Sequence, residues 1–255
     1  MIDVHCHLLP GVDDGPATME DAIRLARAQV AAGVDEAVAT PHVTGGLRND
    51  AASVAAGVAA LRAALADAGV PLRVWAGAEI ELRHGLELDD GELRRLALGD
   101  GPWLLLEAPL QEHPTVELAV EELMVRGHGV LLAHPERCPS FQRDPDALRR
   151  LVHRGALTQV TAGAFLGRFG RTAQRFAARL ADDALVHTIA SDAHDLDRRS
   201  PGMREGLAAA GLGRLSGWLT EDVPAALLAG DGVPSPPAHG PLRRRRRWWP
   251  ALQRA

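Results

Sequence analysis

Short apolar segments alternate with longer amphipathic segments along most of this chain. The apolar segments predict strands at residues 1–4, 36–40, 72–80, 103–107, 129–133, 157–161 and 185–191. Apolar residues at helical spacing predict intervening helices at residues 18–33, 47–69, 115–126, 144–154 and 171–180. Strand and helix therefore alternate about seven times, which is typical of βα units that build a parallel sheet.

Seven βα units in 255 residues predict an α/β fold, and a closed or distorted (β/α)7 barrel fits that length. A doubly wound open sheet is the alternative that the pattern leaves open. Hydrophobic residues make up 46% of the chain, which is enough for a large buried core. Gly, Pro and Ser become frequent from Gly230 onward. We therefore predict a folded domain over residues 1–229, and a linker with a disordered basic tail over residues 230–255.

Histidines and carboxylates follow the predicted strands at the points where the strands end. Because parallel strands end at the same edge of a sheet or barrel, we expect these side chains to lie close together. His5 and His7 share one face of the first strand, and Cys6 faces the other way. The candidate residues are His5, His7, Asp13 or Asp14, His42, Glu79, Glu107, His134, Asp192 and His194.

This mixture of imidazoles and carboxylates predicts a metal site. A carboxylate that ends an apolar strand, such as Glu107, is costly to bury unless it is paired or bound to a metal. The ligand types suit Zn²⁺, Mn²⁺ or Fe²⁺, and the number of carboxylates makes Mn²⁺ at least as good a choice as Zn²⁺. Nine ligands exceed the needs of one ion, so we predict two or three ions with a bridging carboxylate. The sequence contains no nucleotide-binding loop, and no organic cofactor is predicted.

The formal net charge of −5 is unevenly distributed along the chain. Six of the 28 basic residues are Arg243–Arg247 and Arg254, which leaves 22 basic against 33 acidic residues. An acidic body argues against nucleic acid as a partner. Two cysteines, no apolar run of membrane-spanning length, and no room for a signal peptide before His5 predict a cytoplasmic location.

The basic tail ends in a pattern typical of a membrane surface contact. Arg243–Arg247 are followed by Trp248 and Trp249. Indoles favour the bilayer interface, and each basic residue near anionic headgroups contributes about 1 kcal/mol. We predict weak, salt-sensitive attachment to the inner face of the cell membrane, with a solvated disordered tail as the alternative.

Several short motifs together resemble the PHP (polymerase and histidinol phosphatase) superfamily. They are His5-x-His7, Thr40-Pro-His42, Gly77-Ala-Glu79, His134-Pro-Glu-Arg137 and Ser191-Asp-Ala-His194. The opening Met1–Pro16 and the His-Pro-Glu-Arg motif further resemble the manganese-dependent protein tyrosine phosphatases of bacterial capsule and exopolysaccharide operons, the CpsB/YwqE type. The resemblance extends from Met1 to about Leu228.

The resemblance implies a distorted (β/α)7 barrel of the PHP type, with three metal ions at the carboxyl ends of its strands. The ligand sets that it implies are His5, His7, Glu79 and Asp192 for one ion; Glu107 and His134, with Glu79 shared, for a second; and Asp14, His42 and His194 for a third. Spacing does not distinguish Asp13 from Asp14, and we choose Asp14. One departure is Cys138, which stands where an aromatic residue usually follows His-Pro-Glu-Arg.

The resemblance also implies a metal-dependent protein tyrosine phosphatase. Arg137 and Arg199 correspond to the phosphate-binding arginines, the nucleophile would be a metal-bound hydroxide, and a metal ion or His42 would assist the phenolate leaving group. The implied partner is a phosphotyrosine protein, specifically the tyrosine-rich tail of a membrane-bound bacterial kinase that controls capsule or exopolysaccharide synthesis. Neither Cys6 nor Cys138 is expected to be a nucleophile or a ligand.

Two other functions remain open. The same metal site is compatible with hydrolysis of a small phosphate monoester, such as histidinol phosphate, or of a nucleic-acid end, although the acidic body disfavours the latter. A non-enzymatic subunit that binds phosphotyrosine is the third hypothesis. An inactive relative usually lacks metal ligands, and every expected ligand is present in this chain.

Overall fold

The structure is a computed structural model that describes residues 1–47 and 49–237. Its strands are β1 (Ile2–Cys6), β2 (Glu36–Ala39), β3 (His42–Val43), β4 (Arg73–Ala76), β5 (Glu79–Glu81), β6 (Trp103–Glu107), β7 (Gly129–Ala133), β8 (Leu157–Thr161) and β9 (Thr188–Ala190). Its helices are α1 (Met19–Ala31), α2 (Ala51–Asp67), α3 (Leu82–Glu87), α4 (Asp90–Arg95), α5 (Val116–Val125), α6 (Pro139–Arg143), α7 (Pro145–His153), α8 (Ala162–Phe165), α9 (Gly170–Asp182), α10 (Met203–Ala210) and α11 (Val223–Ala229). Strands and helices alternate, as predicted.

All strand pairings are parallel and fall into two sheets. One sheet has the order β1-β2-β4, and the other has the order β3-β5-β6-β7-β8-β9. The described part of the chain is thus a mixed α/β structure with parallel sheets, as the strand and helix pattern predicted.

Two predicted strand regions are interrupted, and the second sheet starts at the interruptions. Thr40 and Pro41 separate β2 from β3, and proline cannot donate to a strand ladder. The predicted strand at 72–80 is divided at Gly77, where an added Cβ would lie 2.7 Å from Val38 Cγ1. Beyond the two breaks, His42 pairs with Glu79 in the new register. The interruptions therefore bring two predicted site residues side by side.

The first and last strands meet at their carboxyl ends. Cys6 forms an isolated parallel bridge with Ala193, and the His7 N–H donates to the Ala193 carbonyl at 2.9 Å. The Asp192 N–H donates to the His5 carbonyl at the same distance. The ends of β1 and β9 are consequently fixed against each other by main-chain hydrogen bonds.

The longest helices, α1, α2 and α9, each bury one largely apolar face. In α9, Ala173, Phe176, Ala177 and Leu180 are buried. Thr18 caps α1 by accepting from the Asp21 N–H. Helix α2 starts at Ala51 instead of near residue 47, because Asp50 and Ser53 form a reciprocal capping box.

Several short helices were not predicted. Helices α3 and α4 lie in a segment for which the sequence predicted neither a helix nor a strand. Helix α10, a 3-10 turn at Gly213–Leu215, a π-helical turn at Trp218–Asp222 and α11 follow the last strand. None of the helices in the described part of the chain combines the length and the apolar character that a bilayer crossing requires. The predicted membrane contact of Arg243–Trp249 lies outside the described residues.

Candidate metal centre

The carboxyl ends of the strands bring the predicted ligands into one cluster. The ligand atoms of each of three groups lie within 4.8 Å of one another. The groups are His7, Asp14, His42 and His194; His5, His7 and Asp192; and His42, Glu79 and Glu107. His134 adjoins the third group through its contact with Glu79.

These groups differ in three respects from the ligand sets that the resemblance implied. Glu79 is not in the group of His5, His7 and Asp192. His7 belongs to the group around Asp14 as well as to the group around Asp192. His42 lies with Glu79 and Glu107, where the resemblance implied His134.

Glu79 is the centre of the cluster and is fully buried. One carboxylate oxygen, Oε2, lies 3.2 Å from His5 Nε2, 3.2 Å from His7 Nε2 and 3.0 Å from His42 Nδ1. The other, Oε1, lies 2.7 Å from His134 Nε2. Burial alone raises the pKa of Glu79, but the surrounding imidazoles outweigh it and hold that pKa well below its usual range. The two oxygens of Glu79 thus contact four of the imidazoles of the cluster.

Asp192 lies beside the same imidazoles and beside both predicted arginines. Its Oδ1 lies 3.4 Å from His5 Nε2 and accepts from Arg199 at 2.6 Å, and its Oδ2 accepts from Arg137 at 3.2 Å. Burial raises the pKa of Asp192, whereas the charges of His5 and Arg199 lower it further than burial raises it. Asp192 and His134 have left-handed backbone conformations, with φ of 52° and 34°.

The structure distinguishes the roles of Asp13 and Asp14. Asp13 Oδ2 lies 2.8 Å from His7 Nδ1 and accepts from the His42 N–H, and its Oδ1 accepts from the Gly15 N–H. Both of its oxygens are thus engaged by protein groups. Asp14 Oδ1 lies 3.1 Å from His194 Nε2 and 3.5 Å from His42 Nε2. This geometry favours Asp14 as the ligand and Asp13 as the partner that orients His7.

Glu107 and His42 occupy the open side of the cluster. Burial and the charge of Glu79 raise the pKa of Glu107 to about 7. Burial lowers the pKa of His42, but the nearby carboxylates of Asp14 and Glu79 outweigh burial and raise this pKa to about 11.

Arg137 and Arg199 stand at the rim with side chains 18% and 23% exposed. Arg137 follows β7 in a 3-10 turn, and Arg199 belongs to the loop after β9. That loop is organised by Asp195, whose Oδ1 accepts from the Arg199 N–H at 3.1 Å. Both guanidinium groups point toward the carboxylates of the cluster.

Gln159 is a contributor that sequence reasoning missed. Its side-chain carbonyl lies 2.8 Å from His5 Nδ1 and accepts from the His134 N–H at 3.4 Å. Such partners fix which imidazole nitrogen faces the metal, so His5 presents Nε2 to the cluster. The signal in the sequence that could have revealed this role is a glutamine inside the buried strand β8.

Asp3 and Gln29 were missed as well. The buried Asp3 accepts from the His5 N–H and from the Ser191 N–H, and so joins the predicted ligand His5 to the residue that precedes the predicted ligand Asp192. Gln29 donates to Asp3 Oδ2 at 2.8 Å. Both polar groups lie beneath the cluster and support its backbone.

The two cysteines are buried, and neither belongs to a ligand group among the described residues. Gln29 Nε2 lies 2.9 Å from Cys6 Sγ, on the side of β1 away from the imidazoles. Burial raises the pKa of both thiols, so both are protonated near neutrality. This environment is unsuitable for a thiolate nucleophile.

Cys6→Ser and Cys138→Ser are expected to retain turnover within about threefold, because a buried protonated thiol is no nucleophile. Initial rates with para-nitrophenyl phosphate at matched metal content provide the measurement. Loss of turnover in Cys138→Ser, with native circular dichroism and full metal content, would instead assign the chemistry to a thiol.

The atoms of the cluster fit metal ions better than they fit one another. Glu79 Oε2, His42 Nδ1 and His194 Nε2 are buried, and each lacks a hydrogen-bond partner among the residues that the structure describes. His42 Nδ1 and Glu79 Oε2 are only 3.0 Å apart, but not at hydrogen-bonding angles. Converging imidazole nitrogens and carboxylate oxygens are the donor set of Mn²⁺, Fe²⁺ and Zn²⁺ sites.

Known proteins are similar to this chain in sequence and in fold. A family model described as "Capsular polysaccharide synthesis, CpsB/CapC" matches residues 1–212. The tyrosine-protein phosphatase YwqE of Bacillus subtilis (strain 168) is 36% identical over 209 residues, which cover 81% of this chain and 82% of YwqE. A solved structure from the pair YwqE from Bacillus subtilis and CpsB from Streptococcus pneumoniae, described as unique metal-dependent tyrosine phosphatases, matches with a TM-score of 0.81 and 32% identity. This match covers 94% of our chain and 100% of the other.

A more distant match extends the likeness in fold alone. The dihydropyrimidinase from Brevibacillus agri matches with a TM-score of 0.56 at 13% identity, over 90% of this chain and 70% of that one.

Proposed function

Because this chain belongs to the CpsB/CapC family of capsular polysaccharide synthesis, we propose that it is a metal-dependent phosphatase that hydrolyses phosphotyrosine on proteins. The observation that carries the proposal is the cluster of imidazoles and carboxylates around Glu79, with two arginines at its rim. Metal dependence and tyrosine phosphatase activity are what the similar proteins YwqE and CpsB are described to have.

We assign the metal-binding role to the nine predicted ligands, with Mn²⁺ as the ion and Zn²⁺ or Fe²⁺ as the alternatives. The three ligand groups support two or three ions, and the shared contacts of Glu79 support a bridge between them. Bound ions supply Lewis-acid chemistry, because they acidify an attacking water and neutralise phosphoryl oxygens.

Side chains of the protein would bind the phosphoryl group and assist the leaving group. Arg137 and Arg199 can exchange their present carboxylate partners, Asp192 and Asp14, for phosphoryl oxygens. Planar guanidinium groups bind such oxygens through two parallel hydrogen bonds. Either a metal ion or His42, whose side chain is 18% exposed, would assist the departing phenolate from the open side.

We further infer that the parallel strands form a distorted (β/α)7 barrel within a phosphatase domain over residues 1–229. The inference rests on the hydrogen bonds between the ends of β1 and β9, and on counting β2 with β3, and β4 with β5, as single interrupted strands.

The proposed partner is the tyrosine-rich tail of a membrane-bound kinase that controls capsule or exopolysaccharide synthesis. A cytoplasmic phosphatase would meet such a tail at the inner face of the membrane. The arginines and tryptophans of residues 243–249 would then raise its local concentration there.

Substrate preference tests the proposed function. The Mn²⁺-supplied full chain should hydrolyse a phosphotyrosyl peptide with a kcat/KM at least about tenfold above that for histidinol phosphate, because phenolate is a better leaving group than an alkoxide and a protein substrate offers more contacts. The reverse order would assign the enzyme to small phosphate monoesters. Binding of the peptide without turnover would assign it to the scaffolding class.

Arg137→Lys is expected to raise KM and lower kcat, with about a tenfold or larger loss in kcat/KM. A lysine retains the charge but not the planar pair of donors. Steady-state kinetics with a phosphotyrosyl peptide and metal analysis provide the measurement. The matched control is Arg143→Lys, since Arg143 is 74% exposed and pairs with Glu112 on the surface. Tolerance of Arg137→Lys within about twofold would remove Arg137 from the phosphate site.

A further inference from the structure

Phe169 stacks on one of the two rim arginines. The guanidinium carbon of Arg137 lies 4.6 Å from the centroid of the Phe169 ring. This distance is within the range of a cation–π contact. Phe169 immediately precedes α9, so it comes from a different strand–helix connection than Arg137. Its contact with the site is therefore tertiary and has no counterpart in the motifs.

The stack leaves the donors of Arg137 available. An aromatic ring engages the face of a guanidinium group, whereas hydrogen bonds to oxygen lie in its plane. Among the described residues, the Arg137 side chain makes one side-chain hydrogen bond, which its Nη1 donates to Asp192 Oδ2 at 3.2 Å. If Asp192 is drawn to a metal ion, the ring remains as the contact that fixes the guanidinium plane.

The ring is itself held in place. Phe169 is partly buried and packs against the hydrophobic core. Gly163, in α8, provides the space: a Cβ added there would lie 3.2 Å from Phe169 Cε2 and 3.1 Å from Arg168 Cδ. A fixed ring over a long side chain reduces the conformational entropy that Arg137 loses when it binds an anion.

We propose that Phe169 is a positioning residue that holds the Arg137 guanidinium group edge-on to a phosphoryl group. This inference rests on the proposed function, because it assumes that Arg137 binds phosphate. Since the ring acts on how Arg137 binds the phosphoryl group, replacing Phe169 should weaken the binding of inorganic phosphate and of phosphate monoesters alike, whatever their leaving group.

The experiment measures binding of inorganic phosphate to the Mn²⁺-supplied full chain by titration calorimetry. Phe169→Leu should raise the Kd for phosphate by about three- to tenfold, which corresponds to the loss of one partly buried cation–π contact. Phe169→Trp keeps an aromatic face and should restore binding to within about twofold of the wild type. Metal content should be equal in all of these proteins.

A matched control separates this effect from a general loss of stacking. Arg73 lies 4.0 Å over the Trp75 ring on β4, and neither residue belongs to the ligand groups. Trp75→Leu should leave the phosphate Kd unchanged. In an Arg137→Gln background, Phe169→Leu should have no further effect, because the group that it positions is gone.

Two results would overturn the inference. One is an unchanged phosphate Kd in Phe169→Leu, and the other is an equal loss with and without Arg137, which indicates a structural role. If Phe169→Leu loses its native circular dichroism, Phe169→Met takes its place with the same expectation. The proposed function can also fail separately. If phosphate binding by the wild type depends on Phe169 but the wild type does not hydrolyse a phosphotyrosyl peptide, the proposed function is refuted and this inference stands.

Discussion

Glu79→Gln is expected to abolish phosphatase activity, with a loss that exceeds the roughly 100-fold typical of removing a partner of a metal ligand. The Glu79 carboxylate contacts His5, His7, His42 and His134. An amide of the same shape places an NH₂ group against imidazole nitrogens or metal ions, and it cannot bridge two cations. We therefore expect the metal content to fall together with the turnover.

Glu136→Gln is the matched control for this change. Glu136 is also fully buried, and its Oε1 accepts from the Thr161 N–H, but it belongs to none of the ligand groups. Its variant should keep the metal content of the wild type. Wild-type turnover in Glu79→Gln at full metal content would refute the assignment of Glu79 as the bridging ligand.

Removal of metal ions by a chelator should abolish activity and lower the melting temperature by about 5–10 °C. A ligand at 100 times its Kd stabilises the folded state by about 2.7 kcal/mol, and each kcal/mol shifts the melting temperature of a chain of this size by about 2–4 °C. Scanning calorimetry with and without chelator gives the shift, and added Mn²⁺ should restore both properties. Full activity after complete chelation would exclude a metal mechanism.

The stabilisation by Mn²⁺ should increase between pH 6.5 and pH 9. Although burial lowers the pKa of His5, the charges of Glu79 and Asp192 outweigh it and raise the pKa to about 9 in the metal-free protein. Protonated His5 thus stabilises the metal-free fold fully below about pH 6.5, and this contribution is lost as the pH rises through 9. Metal ions need the neutral imidazole and gain as the proton leaves. A melting-temperature shift that stays constant over this range would contradict the imidazole assignment.

The sequence could predict the cluster because backbone geometry alone determines where strand ends lie. Each candidate ligand except Asp14 is within a few residues of the carboxyl end of a strand, and parallel pairing brings those ends together whatever the side chains do. Asp14 lies farther along the loop after β1. The spacing could not separate Asp13 from Asp14. That distinction depends on which carboxylate the His42 N–H reaches, and therefore on the path of a loop.

Contacts between loops that are far apart in the chain could not be predicted from the sequence. Gln159 and Phe169 contact His5 and Arg137 only after three-dimensional packing, and neither belongs to a short motif. The interruption at Gly77 was missed for a similar reason, because the close approach of Val38 that requires glycine there comes from a neighbouring strand. The helices after β9 are short, so apolar periodicity did not reveal them.

The left-handed backbone at His134 and Asp192 has a consequence for laboratory evolution. A left-handed conformation costs a non-glycine residue about 1–2 kcal/mol, although aspartate tolerates it better than most. Glycine would relieve that strain, but it would also remove the contact of His134 with Glu79 and those of Asp192 with the two arginines. Selections for heat resistance and for turnover should therefore both reject glycine at these two positions. At Ala184, also left-handed with φ of 55° and outside the ligand groups, the two selections should agree on glycine. Left-handed positions that reject glycine in both screens would thus mark the ligand cluster from variant frequencies alone.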